Sequence, residues 1–135
     1  MSSGALEKMP PVQVFGAFVA IGILLVLIAI LMLLSDADDP WSLVAELRDA
    51  MPSGSILAIT HPTADFNPDE VNQAVAAATG AGMTLVARPR EDVRRFFGDW
   101  EMLDPGLVPV SGWRPDEPAE NVEAAYYWAG VARKP

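Results

Sequence analysis

His61 is the chain's single histidine, and it follows a short apolar stretch, residues 55–60, whose composition predicts a strand. An imidazole just beyond a sheet strand stands where α/β folds open their ligand clefts, so it can touch substrate or take a proton. The plainer expectation is a loop histidine bonded to backbone. Asp36, Asp38 and Asp39 lie close together and resemble a cation site, although acids ahead of a helix start more often serve as caps and dipole partners. Trp113 and Arg114 fall in a Pro-rich loop that can line a substrate pocket; alternatively the indole covers a sheet edge. Arg88, Arg90, Arg94 and Arg95 form the one basic cluster, in which phosphate binding competes with a solvated helix face laced by a Glu91–Arg95 pair. Asp36, His61, Trp113 and Arg114 are the candidate substrate-contacting residues. Tyr126, Tyr127 and Trp128 are expected to pack, or to form an oligomer surface if a sheet edge is exposed.

Much chemistry is excluded. With no cysteine there is no disulfide, thiolate or iron–sulfur chemistry within one chain, and one histidine rules out a multi-histidine metal site. No Ser-His-Asp set, P-loop or zinc spacing is present. The chain carries 18 acidic and 9 basic residues; Glu7 and Lys8 precede everything else charged, so the remainder is strongly acidic. That balance argues against nucleic-acid binding and against hugging an anionic membrane surface.

The longest feature is an apolar run that begins at Val14, ends at Leu34 and holds no charge. As a helix it would be about 31 Å long, close to a bilayer's hydrocarbon thickness. Its fifteen Val, Ile, Leu and Phe residues contribute on the order of −6 kcal/mol toward insertion. The expected organisation is therefore a disordered tail (1–13), a single-pass transmembrane helix (14–35) and a domain (36–135), with the lipid bilayer as partner of the run. Lys8 alone weakly favours an internal N-terminus. A buried helix or strand is the alternative.

The domain must position the candidate residues with few elements. Asp39 and Pro40 mark a helix start, and residues 52–54 a stop. The stretch 55–60 is apolar enough for a strand buried on both faces. Asn67, Pro68 and Glu70 predict a second helix with a capping box, buried along Val71, Ala74, Val75 and Ala78 and ended by Gly80 and Gly82. Residues 90–97 predict a short helix burying Val93, Phe96 and Phe97. Residues 100–103 and 107–110 read as strand pieces about the turn Asp104-Pro105-Gly106, and 124–133 as a final strand. Such alternation predicts an α/β sheet ending in a hairpin.

Several segments in order carry a resemblance: Leu34-Ser35-Asp36-Ala37-Asp38-Asp39-Pro40-Trp41, Leu47-Arg48-Asp49-Ala50-Met51-Pro52-Ser53-Gly54-Ser55, Ile59-Thr60-His61, Phe96-Phe97, Leu103-Asp104-Pro105-Gly106-Leu107-Val108-Pro109-Val110, Trp113-Arg114-Pro115-Asp116 and the C-terminal Ala129-Gly130-Val131-Ala132-Arg133-Lys134-Pro135. Over about the last hundred residues the chain resembles the C-terminal part of a bacterial family of S-adenosylmethionine-dependent methyltransferases. The resemblance implies a partial Rossmann-like sheet in which 55–61, 100–110 and 124–133 are strands five, six and seven. It sets 28–34 where strand four belongs and Asp36 at that strand's end, in conflict with a membrane helix. The family's strand four ends in a His-Phe pair, where Met32-Leu33 stand here.

S-adenosylmethionine is the implied cofactor, yet such enzymes cradle it with a Gly-rich turn after strand one and an acid after strand two. The chain's Gly80-Ala81-Gly82 follows a helix instead. The expectation is a membrane-anchored, truncated methyltransferase-like protein of doubtful activity alone. The alternative is a non-catalytic single-pass module whose partial sheet pairs, at its exposed edge, with a partner chain or a second copy.

Overall fold

The structure, a computed structural model, describes residues 31–118, 121 and 125–135. Helix α1 (Pro40–Ala50) starts as the Asp-Pro pair dictates. Asp39 takes a left-handed backbone (φ 48°) and its carboxylate accepts from the Ser42 amide and hydroxyl, at 3.3 and 2.6 Å. Those bonds, the hydroxyl's first, hold its pKa below the ordinary carboxylate value. One turn earlier Asp38 caps a 3-10 turn (Asp36–Asp38) through the amide and hydroxyl of Ser35.

Strand β1 (Ile56–Pro62) is followed by α2 (Pro68–Gly80), the short α3 (Arg90–Arg95), β2 (Glu101–Met102), β3 (Val108–Pro109) and β4 (Tyr127–Arg133). β4 is central. It pairs antiparallel with β1 over seven positions, from Ile56↔Arg133 to Pro62↔Tyr127. On its other side it pairs with β2 and then β3. With β4 the two short strands make the antiparallel hairpin expected at the end of the sheet. They are one edge strand interrupted by the turn at 104–107, because both spend their backbone groups on β4. With the strand numbers that the resemblance implies, the observed order is five–seven–six.

The core lies on one sheet face: Leu57, Ile59, Trp128 and Ala132 pack on Val44, Val93, Phe96, Phe97, Trp100 and Leu107. Gly130 belongs to that face, and a Cβ there would meet Met102 Cε at 2.9 Å and Phe97 Cζ at 3.2 Å, so the close layer packing needs a glycine. The other face carries Ala58, Thr60 and Val131, with Ile56 42% exposed. β1 therefore alternates in burial, contrary to the expectation of a strand buried on both faces.

Three further expectations are corrected. The capping box at α2 does not form: the Asn67 amide donates to the Ala125 carbonyl at 3.1 Å, and the Glu70 carboxylate accepts from the Tyr126 hydroxyl, so both side chains tie α2 to the start of β4. Of the predicted α2 stripe only Val71 is buried; Val75 and Ala78 are half-buried and Ala74 is exposed. Finally, Leu31 is 2% exposed within the core cluster. The Met32 carbonyl accepts from the Val86 amide at 2.8 Å. Residues 31–34 are thus part of the domain, as a helical residue and a turn rather than the end of strand four or of a transmembrane span. Most of the span expected over 14–35, and the tail 1–13, lies outside the described residues. No helix among the described residues is long and apolar enough to cross a membrane.

Candidate functional site

β1 continues two residues past its predicted end and carries His61 as a strand residue, on the core face opposite Trp128. Its imidazole is fully buried. Nδ1–H donates to the Pro62 carbonyl at 2.8 Å, and Nε2 accepts from an Arg88 Nη1–H at 2.9 Å. Only the neutral ring with its proton on Nδ1 satisfies both contacts. Burial, above all, pulls the pKa below the ordinary histidine value, and the Arg88 charge pulls the same way; the Pro62 carbonyl opposes them. Sealed from solvent, the ring meets only protein groups.

Arg88 was expected on a solvated basic face and is 1% exposed. It follows the extended segment after α2, where its amide donates to the Pro62 carbonyl at 2.9 Å. Its guanidinium spends all five N–H donors. Nη1 donates to the Leu31 carbonyl (2.9 Å) and to His61. Nη2 donates to the Leu34 carbonyl (2.8 Å) and to Asp36 Oδ1 (3.0 Å), and Nε reaches the same carboxylate oxygen at 3.2 Å. The plane lies between aromatic rings, 5.3 Å from Trp41 and 5.7 Å from Phe96. Arg88 thereby clamps residues 31–36 to the C-terminal end of β1. The clamp sits outside the carboxyl end of a strand, the side on which open α/β sheets hold ligands.

Asp36 is not a cap. Its side chain is 63% exposed and pairs with Arg88. Oδ1 takes the guanidinium, which leaves Oδ2 with no bond from a described group and directed by a rigid partner. Asp36 and His61 are thus brought together through an arginine that neither motif nor spacing announced. Its partners lie 27 to 57 residues away, so no local pattern could reveal it.

Trp113 and Arg114 are elsewhere. Trp113 follows a 3-10 turn (Val110–Gly112) and lines a groove of about 300 Å³ with Ala58, Thr60 and Val131, on the face opposite His61. Its indole N–H is buried with no acceptor among the described residues. Arg114, in a left-handed backbone (φ 46°), stacks over that indole at 4.9 Å and donates to the Asp104 carbonyl at 2.9 Å. The four candidate residues therefore do not form one site. No group of three or more acidic or histidine residues suited to a metal ion occurs among the described residues.

The His61 environment makes stability pH-dependent. With a folded pKa below the unfolded value of about 6.5, unfolded chains take up a proton that folded chains refuse. The contribution is fully present above pH 6.5 and is lost as pH falls from there through the folded pKa. Denaturation midpoints should drop between pH 7.5 and 5.5, and His61→Gln should flatten that slope; an equal slope in the variant would assign it to other groups.

Comparison with known proteins follows the same outline. The family model described as S-adenosyl methyltransferase matches residues 19–135, which takes in residues 19–34 of the apolar run. A DUF574 family protein from Streptomyces avermitilis is 34% identical, with a TM-score of 0.74 over 79% of this chain and 42% of that one. A protein from Thermobifida fusca assigned as a methyltransferase is also 34% identical, with a TM-score of 0.63 over 77% of this chain and 40% of that one. The chain spans about two fifths of the length of either structure. No curated protein matches it. S-adenosylmethionine is the family's cofactor, and Gly80-Ala81-Gly82 does not form a cradle for it. Gly82 (φ 77°) ends α2, and no neighbour approaches a Cβ built at Gly80 or Gly82 within 4 Å, so this pair is a helix stop and not a nucleotide turn. With a family match over most of its length and an antiparallel β1–β4–β2 sheet edge, the chain belongs to the S-adenosyl methyltransferase family.

Proposed function

We propose that the chain supplies the C-terminal half of an S-adenosylmethionine-dependent methyltransferase and that methyl transfer requires a cofactor-binding half from sequence beyond it. The observation that carries this reading is the sheet itself: among the described residues β1 is an edge strand, while its partner β4 is fully paired. The free edge of β1 is where the family's remaining strands would continue. The Arg88 clamp fixes Asp36 at the strand's carboxyl end, where an acceptor nucleophile would be held against the missing half; there Asp36 would orient or deprotonate it. This is catalysis by placement, and it asks of the chain rigidity more than reactivity.

The test is calorimetric titration of S-adenosylhomocysteine into the folded full-length chain, alone and after co-expression with the part of the Streptomyces avermitilis relative that this chain does not cover. No binding at millimolar ligand alone, with micromolar binding in the co-expressed pair, is expected. Micromolar binding by the chain alone would show a cofactor site independent of the missing half. Absence of binding in a demonstrably assembled pair would sink the reading of this chain as a methyltransferase half.

A further inference from the structure

The four arginines that stand close together in the sequence are dispersed by the fold. Arg88 is spent in the clamp, and Arg90 donates to the Leu107 carbonyl and to Glu91, at 3.3 and 3.2 Å. Arg94 and Arg95 instead line an open cleft of about 730 Å³ between α1 and α3, where Arg48, from the last turn of α1, joins them. Two of these side chains are anchored to one short turn. Arg48 Nη1 donates to the Phe96 carbonyl, and Arg94 Nη1 to the Gly98 carbonyl at 3.0 Å. The Arg48 guanidinium fills the space that a side chain at position 98 would need: a Cβ built on Gly98 (φ 57°) would meet Nη2 at 2.5 Å and Cζ at 2.6 Å. Arg95 lies over the Trp41 ring at 4.0 Å, and that indole is fixed by donating to the Asp92 carbonyl at 2.9 Å. Carbonyls and a ring hold these cations without neutralising them. The carboxylates on the cleft wall are committed elsewhere, Asp39 to the Ser42 amide and hydroxyl and Glu91 to Arg90. Asp92 stands 4.0 Å from Arg95, at the outer limit of an ion pair. Among the described residues no carboxylate pairs with Arg48 or Arg94, in a chain whose acids outnumber its bases 18 to 9.

We propose that this cleft binds the phosphate group of a small soluble phosphate ester or diphosphate. Arg48 and Arg94 each keep Nε and Nη2 donors without an acceptor among the described residues. Two guanidinium forks call for more acceptor oxygens than the two of a carboxylate, and a phosphate monoester offers three, with about two negative charges at neutral pH. The cleft is larger than a phosphate alone, which leaves room for the group that carries it. The chain's net charge of −9 repels polyanions and anionic bilayers at long range, which favours a small ligand over nucleic acid or lipid. Neither Asp36 nor His61 lines the cleft, so the proposal and the methyl-transfer reading fail separately.

Calorimetric titration of pyrophosphate and of glycerol 3-phosphate into the full-length chain, at constant ionic strength, tests it. Sub-millimolar binding of at least one of them, with none of acetate, is expected. Arg94→Gln should weaken that binding about tenfold or more, the loss of one charge-assisted pair. Ala45→Glu should weaken it as much while leaving every arginine anchor in place, because it sets a carboxylate on the cleft wall one helical turn before Arg48, within ion-pair reach. Arg133→Gln, at an exposed position of β4 outside the cleft, should leave binding as it was. An equal loss in that variant would overturn the proposal, since the ligand would then be reading net charge and not the cleft. So would the absence of binding at millimolar ligand in protein shown to be folded by circular dichroism, or binding that both cleft variants leave untouched. Equal affinity for acetate, or binding confined to phosphatidic acid vesicles, would overturn it as well.

Discussion

Arg88→Met should destabilise the domain by about 3–5 kcal/mol, lowering Tm by roughly 12 °C or more in a domain of this size. The cost does not come from the ion pair with Asp36, because that carboxylate is 63% exposed and an exposed pair contributes little. It comes from the acceptors the guanidinium serves. The Leu31 carbonyl and His61 Nε2 are buried and the Leu34 carbonyl is partly so; each loses its donor, at about 1–3 kcal/mol for a buried one. Methionine keeps the apolar stem between Trp41 and Phe96, so cavity formation is a minor part. Arg88→Lys should fail almost as badly, since three rotating donors on one nitrogen cannot reproduce a planar fork that meets four partners. Urea unfolding followed by tryptophan fluorescence reads the stability. Hydrogen exchange at the Val86 amide, bonded to Met32, reads whether residues 31–36 come loose. A midpoint unchanged from the parent chain would mean that the clamp forms without holding anything.

What was legible in the sequence was local. Asp39-Pro40 announces α1 because a capping carboxylate and a proline act within one turn. The apolar stretch 55–60 announces β1 as a strand, although the pleat buries only its Leu57, Ile59 and His61 face. Val93, Phe96 and Phe97 are fully buried at the spacing that predicted them. What was not legible depends on distant parts. Arg88 sits among arginines that are exposed or half-buried, and only its meeting with residues 31–36 and 61 distinguishes it. Asn67 and Glu70 match a capping box, but the residues of 125–126 compete for their side chains and win. How far the second face of β1 is covered depends on which elements pack there, which no local pattern records. His61 and Asp36 could be named as candidates, but their union through Arg88 and their separation from Trp113 could not. Register across β4 decides which face each residue takes.

Phe96→Ala should cost about 3–5 kcal/mol, the range for emptying a large aromatic site in a packed core. Phe96 is fully buried, stacks on Trp41 at 5.7 Å and 17° and on His61 at 6.0 Å and 22°, and forms one wall of the Arg88 slot. Its carbonyl also accepts from Arg48, a bond that the alanine variant keeps. The loss is therefore of ring contacts alone, which makes the residue a clean partner for a double-mutant cycle with Arg88→Met. If the ring holds the guanidinium in the plane that lets it reach Leu31, Leu34 and His61 at once, the two substitutions remove overlapping interactions. The double variant should then be less destabilised than the sum of the singles, by about 0.5–3 kcal/mol. Strict additivity would show that the hydrogen bonds orient Arg88 without help from the aromatic walls. In that case Asp36 would owe its position to the polar clamp alone, and a smaller apolar residue at 96 would leave the end of β1 as well ordered as before.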